Sequence, residues 1–356
     1  MNTLMIIALI LGVLVIIRLM NVAQLASVLS GENEDEEQKR HNYMNSIGLM
    51  LFMVIGLVVM VYMTVKYQPF MLPESASAHG VNTDFLLNIN FLVIGIVFFA
   101  TQIALFWFVY KYQHSRSRRA YFYPHNNKLE VIWTVIPTIV LSALIVTGLN
   151  EWNKMTQGHP DDGMKVQVYG YQFNWMARYA GPDNTLGRSF YKLISDDNPL
   201  GLDYSDPATA DDIITKGNEM RLPKGVPIEF QFNSRDVIHS AYFPHFRTQM
   251  NCVPGMNTSF YMEPTITTQE MRNITENENF NYVLLCNKIC GVAHYQMKMT
   301  VVVDEPEDFR NWLKGEKPAM PAQTAAAEVG AEGTDEEVAT AEASGNEEPA
   351  EMISSL

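Results

Sequence analysis

Four stretches of the chain, residues 2–17, 47–65, 85–110 and 131–149, contain no Asp, Glu, Lys or Arg. A bilayer core of ~30 Å takes about 20 residues of helix, so the last three runs are long enough to cross it. The first is at the lower limit even if Arg18 at its end reaches out to the headgroups. The pattern predicts four transmembrane helices. After residue 164 the texture changes to short alternating segments: VQVY at 166–169, IEFQF at 228–232, SFYM at 259–262, YVLL at 282–285 and MTVVV at 299–303. These read as strands, punctuated by Pro, Gly and Asn at Pro223, Pro254, Gly255 and Asn273. About 140 residues of this texture predict a β-sandwich or open barrel. Residues 181–217, rich in Asp, Gly and Pro, read as an inserted surface excursion.

Loop charge sets the orientation. Lys111, Arg116, Arg118, Arg119 and Lys128 crowd the connection between the third and fourth runs, whereas 67–84 has no basic residue. The excess of Lys and Arg on the cytoplasmic side puts 111–130 inside and everything after Trp152 outside the cytoplasmic membrane. Loop 18–46, with Lys39 and Arg40, is then cytoplasmic and the N-terminus outside. A cleaved signal peptide would begin with a basic segment, which Met1-Asn2-Thr3 does not offer. Its removal would also force the Arg-rich loop outside, so the first run reads as an uncleaved anchor. The expected division is 1–84, an additional membrane region with two spans; 85–152, a transmembrane hairpin; 153–317, an exported β domain; and 318–356, a tail.

Composition sharpens this picture in two places. The net charge of −14 is concentrated at the end: residues 318–356 hold nine acids and no Lys or Arg. With no periodic apolar face, that tail is expected to be disordered. An acidic balance without a basic surface argues against nucleic acid as a partner. Three cysteines cannot form a disulfide scaffold, and the absence of Cys-x-x-Cys-His excludes covalent c-type haem.

The most specific chemistry is CNKICGVAHYQM at 286–297. Cys286, Cys290, His294 and Met297 place two thiols, an imidazole and a thioether within one loop between two strands. Soft sulfur with imidazole suits copper. A mononuclear blue-copper site takes one Cys, two His and an axial Met, so this loop has one thiolate too many. Two thiolates can bridge two coppers, each completed by one His, and His239 in an apolar setting about 50 residues upstream supplies the second imidazole. A disulfide between Cys286 and Cys290 suits an exported domain but gives His294 and Met297 no role. Zinc is disfavoured because Met is a poor zinc ligand.

These residues closely resemble cytochrome c oxidase subunit II. The likeness runs over 85–313 and rests on the helix hairpin, KLEVIWTVIP at 128–137, GYQFNW at 170–175, RLP at 221–223, SRDVIHS at 234–240, VPG at 253–255 and the Cys loop. It implies a cupredoxin-like sandwich carrying a dinuclear copper A centre. In that scheme Cys286 and Cys290 bridge both metals; His239 and Met297 complete one, His294 and the backbone carbonyl of Lys288 the other. It implies electron transfer from an external cytochrome c to copper A, then to haem and further copper in oxidase subunit I, where O2 becomes water coupled to proton pumping. Other oxidase subunits and the lipid bilayer are the expected partners, in a bacterial inner membrane with the copper domain on the outer side. Glu130, at the cytoplasmic start of the fourth run, stands where the family has a proton-uptake entrance; on the residues alone it reads as a helix-start acid favoured by the dipole.

Several positions depart from the family pattern. Lys288 replaces a usual Glu and Asn251 a common Asp, so the magnesium ion of the family's subunit interface is expected to be absent or rebuilt, since an ammonium cannot ligate a hard cation. Phe173 stands where the family has the Trp at which electrons enter, which points to a different donor or docking pose, such as a haem-bearing partner complex. Cys252 is left over and reads as a small buried apolar residue. Two other functions compete. A quinol oxidase subunit would have lost the copper ligands present here, and a membrane-tethered copper carrier would lack the Glu130 helix motif. Nitrous oxide reductase, which has a similar copper loop, carries a His-rich catalytic domain with no counterpart in 356 residues.

Overall fold

A computed structural model describes residues 3–29, 34–115, 117–157, 163–215 and 218–319. It opens with helices α1 (Thr3–Leu29), α2 (Glu34–Tyr67), α3 (Ala78–Lys111) and α4 (Asn127–Thr156). Among the described residues, three helices, from α2 to α4, are long and apolar enough to cross a membrane. This corrects the expected count of four. The first run is helical, but its described apolar stretch, Leu14–Ala23, is shorter than a span and has Arg18 inside it. Burying a central Arg in lipid costs several kcal/mol, by about 2.5–3.5 or more, which cuts the usable length. The apolar windows of α2, α3 and α4 are unburied within the chain, a state that a bilayer or partner helices stabilise and water does not.

Local chemistry sets the helix ends. Ser77 caps α3 by accepting from the Gly80 N–H, and Asn126 caps α4 by accepting from Leu129 N–H at 3.1 Å. Pro137 sits inside α4, where a membrane helix tolerates it.

The outer part is two five-stranded sheets. In chain order its strands and helices are β1 (Met164–Tyr171), β2 (Asn174–Tyr179), β3 (Ile213–Ile214), β4 (Glu219–Pro223), β5 (Ile228–Ser234), β6 (His239–Phe243), β7 (Thr248–Cys252), β8 (Thr258–Met262), α5 (Thr268–Thr275), β9 (Tyr282–Cys286), β10 (Lys298–Asp304) and α6 (Pro306–Gly315). One sheet runs β3-β2-β1-β5-β8, the other β4-β10-β9-β6-β7. Every segment expected to be a strand is one. Alternation explains why: along β5 each second residue is buried, so Phe230 and Phe232 enter the core while Glu229 and Gln231 do not. Val166, Val168 and Trp175 of the first sheet meet Leu284, Met299 and Val301 of the second. The parallel pairings β1 with β5 and β4 with β10 tie the sandwich across its sequence-distant halves.

The excursion 181–217 is anchored rather than loose. Leu200 and Leu202 are buried against Tyr169, and Asp212 forms a fully buried ion pair with Arg178 of β2. Burial raises the Asp212 carboxyl, outweighing the Arg178 guanidinium and the Gly187 N–H that favour its anion. Pro318 lies on Ile213 of β3, and Ala319 N–H donates to Asp212 O at 2.6 Å. The remainder of the acidic tail, 320–356, falls outside the described residues.

The sandwich is fastened to the membrane helices at the outer end of α3. Arg247, in the turn after β6, grips Asp84 of α3 with both arms, Nε to Oδ1 at 2.7 Å and Nη2 to Oδ2 at 2.8 Å. The backbone joins as well: Ala76 N–H donates to His245 O, Thr265 N–H to Ala76 O and Ala78 N–H to Glu263 O. Gly80 is required here, because a Cβ would lie 2.2 Å from Ser75 Oγ.

Candidate metal centre

Three segments converge at one end of the sandwich. His239 opens β6, Cys286 closes β9, and the loop 287–297 carries the other expected ligands before β10 begins at Lys298. The ladder between β6 and β9, Ala241 opposite Cys286, sets His239 beside that cysteine. Its Nδ1 is 3.8 Å from Cys286 Sγ. The two sulfurs are 3.9 Å apart and both cysteines are free thiols, so the disulfide alternative does not apply. His294 Nδ1 lies 3.5 Å and Met297 Sδ 3.8 Å from Cys290 Sγ, while the Lys288 carbonyl lies 3.2 Å from Cys286 Sγ. Among the described residues, His239, Cys286 and Cys290 are the one group of His, Cys or carboxylate ligands gathered closely enough to hold a metal. Two thiols, two imidazoles, a thioether and a carbonyl around one small space match the donor softness of copper.

The electrostatics favour a thiolate. Burial raises the Cys286 thiol, but hydrogen bonds from His239 and from the backbone at Ser240 and Lys288 outweigh it and bring it down to about 6. Cys290 is raised to about 11, first by burial and then by the Cys286 charge. A metal cation held here would take both sulfurs as thiolates.

Around these groups lies a second layer. His239 Nε2 is 2.8 Å from Asp236 Oδ1, which leaves Nδ1 turned toward the cysteines. Burial raises the Asp236 carboxyl, yet the N–H groups of Gln172 and Val237 and the His239 ring hold it below the usual carboxylate range. Gln172 bridges two parts of the site: its backbone N–H donates to Asp236 Oδ2 at 2.7 Å and its side-chain amide donates to the Cys290 carbonyl. Gly170 and Trp175 seat the imidazole. A Cβ on Gly170 would lie 3.1 Å from His239 Cδ2, and Trp175 packs edge-on to the ring at 6.0 Å. The GYQFNW motif is thus the floor of the site. Sequence reasoning quoted these residues without giving Gln172 and Asp236 their contacts; the one available signal was the Asp-x-x-His spacing.

Phe173 is half-buried, its ring against Gly291 at the tip of the Cys loop, where a Cβ would lie 2.8 Å from Cε1. Gly291 has φ +140, a conformation open to glycine. Lys288 projects its ammonium into solvent, and Asn251 is exposed on β7. Cys252 is buried, pairs in register with His239, and is raised to about 12 by burial, as an inert packed thiol would be. Glu130 is not part of this cluster. It sits in the first turn of α4, at the other end of that 30-residue helix from the sandwich, where it accepts from Asn126 N–H at 3.4 Å.

A sandwich of two five-stranded sheets with a two-thiol loop, tethered by apolar helices, defines a membrane-anchored cupredoxin-like protein with a soft-metal site. Residues 64–150 match the family described as cytochrome C oxidase subunit II, transmembrane domain, and 164–305 match its periplasmic domain. The chain belongs to the cytochrome c oxidase subunit II family. It is 34% identical over 234 residues to the alternative cytochrome c oxidase subunit 2 of Bradyrhizobium diazoefficiens, covering 66% of this chain and 80% of the relative. Cytochrome c oxidase subunit 2 of Thermostichus vulcanus is 23% identical over 280 residues, 72% and 82% of the two chains. A solved periplasmic domain of cytochrome oxidase subunit II from Bradyrhizobium japonicum is 23% identical, covers 44% of this chain and 94% of that one, and superposes with a TM-score of 0.30.

Proposed function

We propose that the chain receives electrons on the outer face of the membrane at a dinuclear copper A centre and passes them to oxidase subunit I. The observation that carries this reading is the convergence of Cys286, Cys290, His239, His294, Met297 and the Lys288 carbonyl around sulfurs 3.9 Å apart. Cys286, Cys290, His239, His294, Met297 and the Lys288 carbonyl would hold the copper pair. Bound there, it would supply a one-electron carrier.

The chain's own residues keep that geometry fixed. Asp236 holds the His239 tautomer, and Gln172 ties the Cys loop to β1. The floor residues Gly170 and Trp175 are buried against the His239 ring. Phe173 is the aromatic face through which electrons would enter, and Glu130 would collect protons at the cytoplasmic edge for subunit I, where haem and further copper reside. The division at 84, 152 and 317 into added spans, hairpin and copper domain belongs to the same reading. Magnesium would not be held as in the family, because Lys288 brings a cation where a carboxylate is needed.

For the donor, a haem-bearing partner complex fits better than a free basic cytochrome c. Ile289, Val292 and Tyr295 are 86%, 91% and 80% exposed around the cysteines. The loop 287–297, with Lys288 in it, contains no Asp or Glu to steer a basic protein, and Asp236 is the carboxylate exposed beside His239. Metal analysis and electron paramagnetic resonance of the purified full chain in detergent test the central reading. Two coppers per chain sharing one unpaired electron are expected; a single copper, or zinc, overturns it.

A further inference from the structure

The excursion 181–217 and the outer face of the first sheet together line a cavity of about 580 Å³. Strand register builds its floor. Arg178 of β2 and Gln231 of β5 both stand opposite Gln167 of β1, and because Ala177, Phe230 and Val166 beside them enter the core, all three point outward. Arg178 Nη1 donates to Gln167 Oε1 at 3.1 Å, Gln167 Nε2 to Asn233 Oδ1 at 2.8 Å, and Asn233 Nδ2 to Asn257 Oδ1. The relay ends on the Asn257 amide nitrogen, which has no partner among the described residues, and the Gln231 amide has none either. Arg178 Nε, although buried, is also unpartnered. The facing wall is apolar, formed by Leu186, Phe190 and Leu193 of the excursion, the last two exposed.

The charges cancel within the site. Arg178 pairs with Asp212, and Arg188 with Asp203 and Asp206, so each charged residue of the lining has its counter-charge. Asp183, Asp196, Asp197, Asp211 and Lys192 stand outside the lining. An ion therefore gains little here, whereas a ligand rich in hydrogen-bonding groups gains much. We propose that the cavity binds a neutral saccharide. Amides that both donate and accept answer hydroxyl and acetamido groups, and the Phe190 ring offers its electron-rich face to the C–H face of a sugar ring. The volume falls within the roughly 300–1,000 Å³ of small-ligand sites. An extended peptide is the poorer occupant, because it needs a free strand edge and β1 in this floor is paired on both sides.

The full chain, purified in lauryldimethylamine oxide, which has no sugar headgroup, is titrated calorimetrically with triacetylchitotriose. Saturable binding at one site per chain is expected, weakened about 10-fold or more in Gln231→Leu and in Phe190→Ala. Raising the salt should leave it unchanged, since the ligand carries no charge. Free N-acetylglucosamine binding as tightly as the trimer would assign the site to a single ring; weaker binding would assign it to a glycan chain. Thermal melting and copper content, unchanged in both variants, separate loss of binding from loss of fold and from the metal centre. Absence of saturable binding, equal binding by wild type and either variant, or binding abolished by salt overturns the proposal.

Discussion

Asp236 and His239, three residues apart, are joined by a 2.8 Å contact from Oδ1 to Nε2, and this leaves the opposite ring nitrogen 3.8 Å from Cys286 Sγ. The carboxylate thereby selects the tautomer whose lone pair faces the sulfurs. Asp236→Asn keeps the shape and removes the charge. It should lower copper affinity by about 10–100-fold, read by chelator competition on the full chain, with the protein still folded.

Gly291→Ala tests the seat of Phe173. The new Cβ would lie 2.8 Å from the ring on a backbone of φ +140. Strain of about 1–3 kcal/mol is expected in the Cys loop. Copper should be lost faster to a chelator while the melting of the sheets changes little.

His245 gives the copper domain an acid sensitivity. Burial, and next the nearby Arg247 charge, lower it from 6.5 to about 4. The folded domain therefore disfavours the protonated ring, which the unfolded chain accepts. This contribution to stability is intact above pH 6.5 and is lost as pH falls from there toward about 4. His245→Phe, which keeps the edge-on packing on Phe280 and Tyr282, should reduce the pH dependence of the thermal midpoint over that interval.

The Arg178–Asp212 pair should behave as a matched set. Asp212→Asn leaves a buried guanidinium without its counter-charge and should cost about 3–5 kcal/mol of domain stability by denaturant titration. Replacing both with apolar residues, R178M/D212L, should recover most of it, because neither charge is then stranded.

Phe173 and the apolar rim predict a poor reaction with free, basic cytochrome c. The isolated oxidase should turn over slowly with it and show little dependence on salt. Rapid, salt-sensitive oxidation would refute the assignment of a haem-bearing partner complex as donor.

Features written in local sequence were legible, and features made by folding were not. The alternation of β5 and β10 declared those strands because one face of each is buried. β6 has no such alternation, since His239, Ser240 and Ala241 are all buried, and its metal-facing residue stood out by motif alone. The Cys loop was readable because its ligands are neighbours along the chain. The contacts of Gln172 with Asp236 and Cys290 join residues 64 and 118 positions apart, and no spacing rule announces them. Arg178 and Asp212 hid in the same way, 34 positions apart, with Asp212 inside what read as a surface excursion. The first apolar run, at the lower limit of length, misled because Arg18 was placed at its end, whereas the helix continues through that residue.

Strand β6 begins at His239 and runs into the turn that holds Arg247, so one five-residue rod has the metal loop at its upper end and the Asp84 grip at its foot. At ~3.4 Å per residue, that rod sets the metal loop roughly 17 Å above the grip. Electron tunnelling fades exponentially with separation, so a loop propped on a short strand and a two-armed ion pair has little freedom to drift from its acceptor.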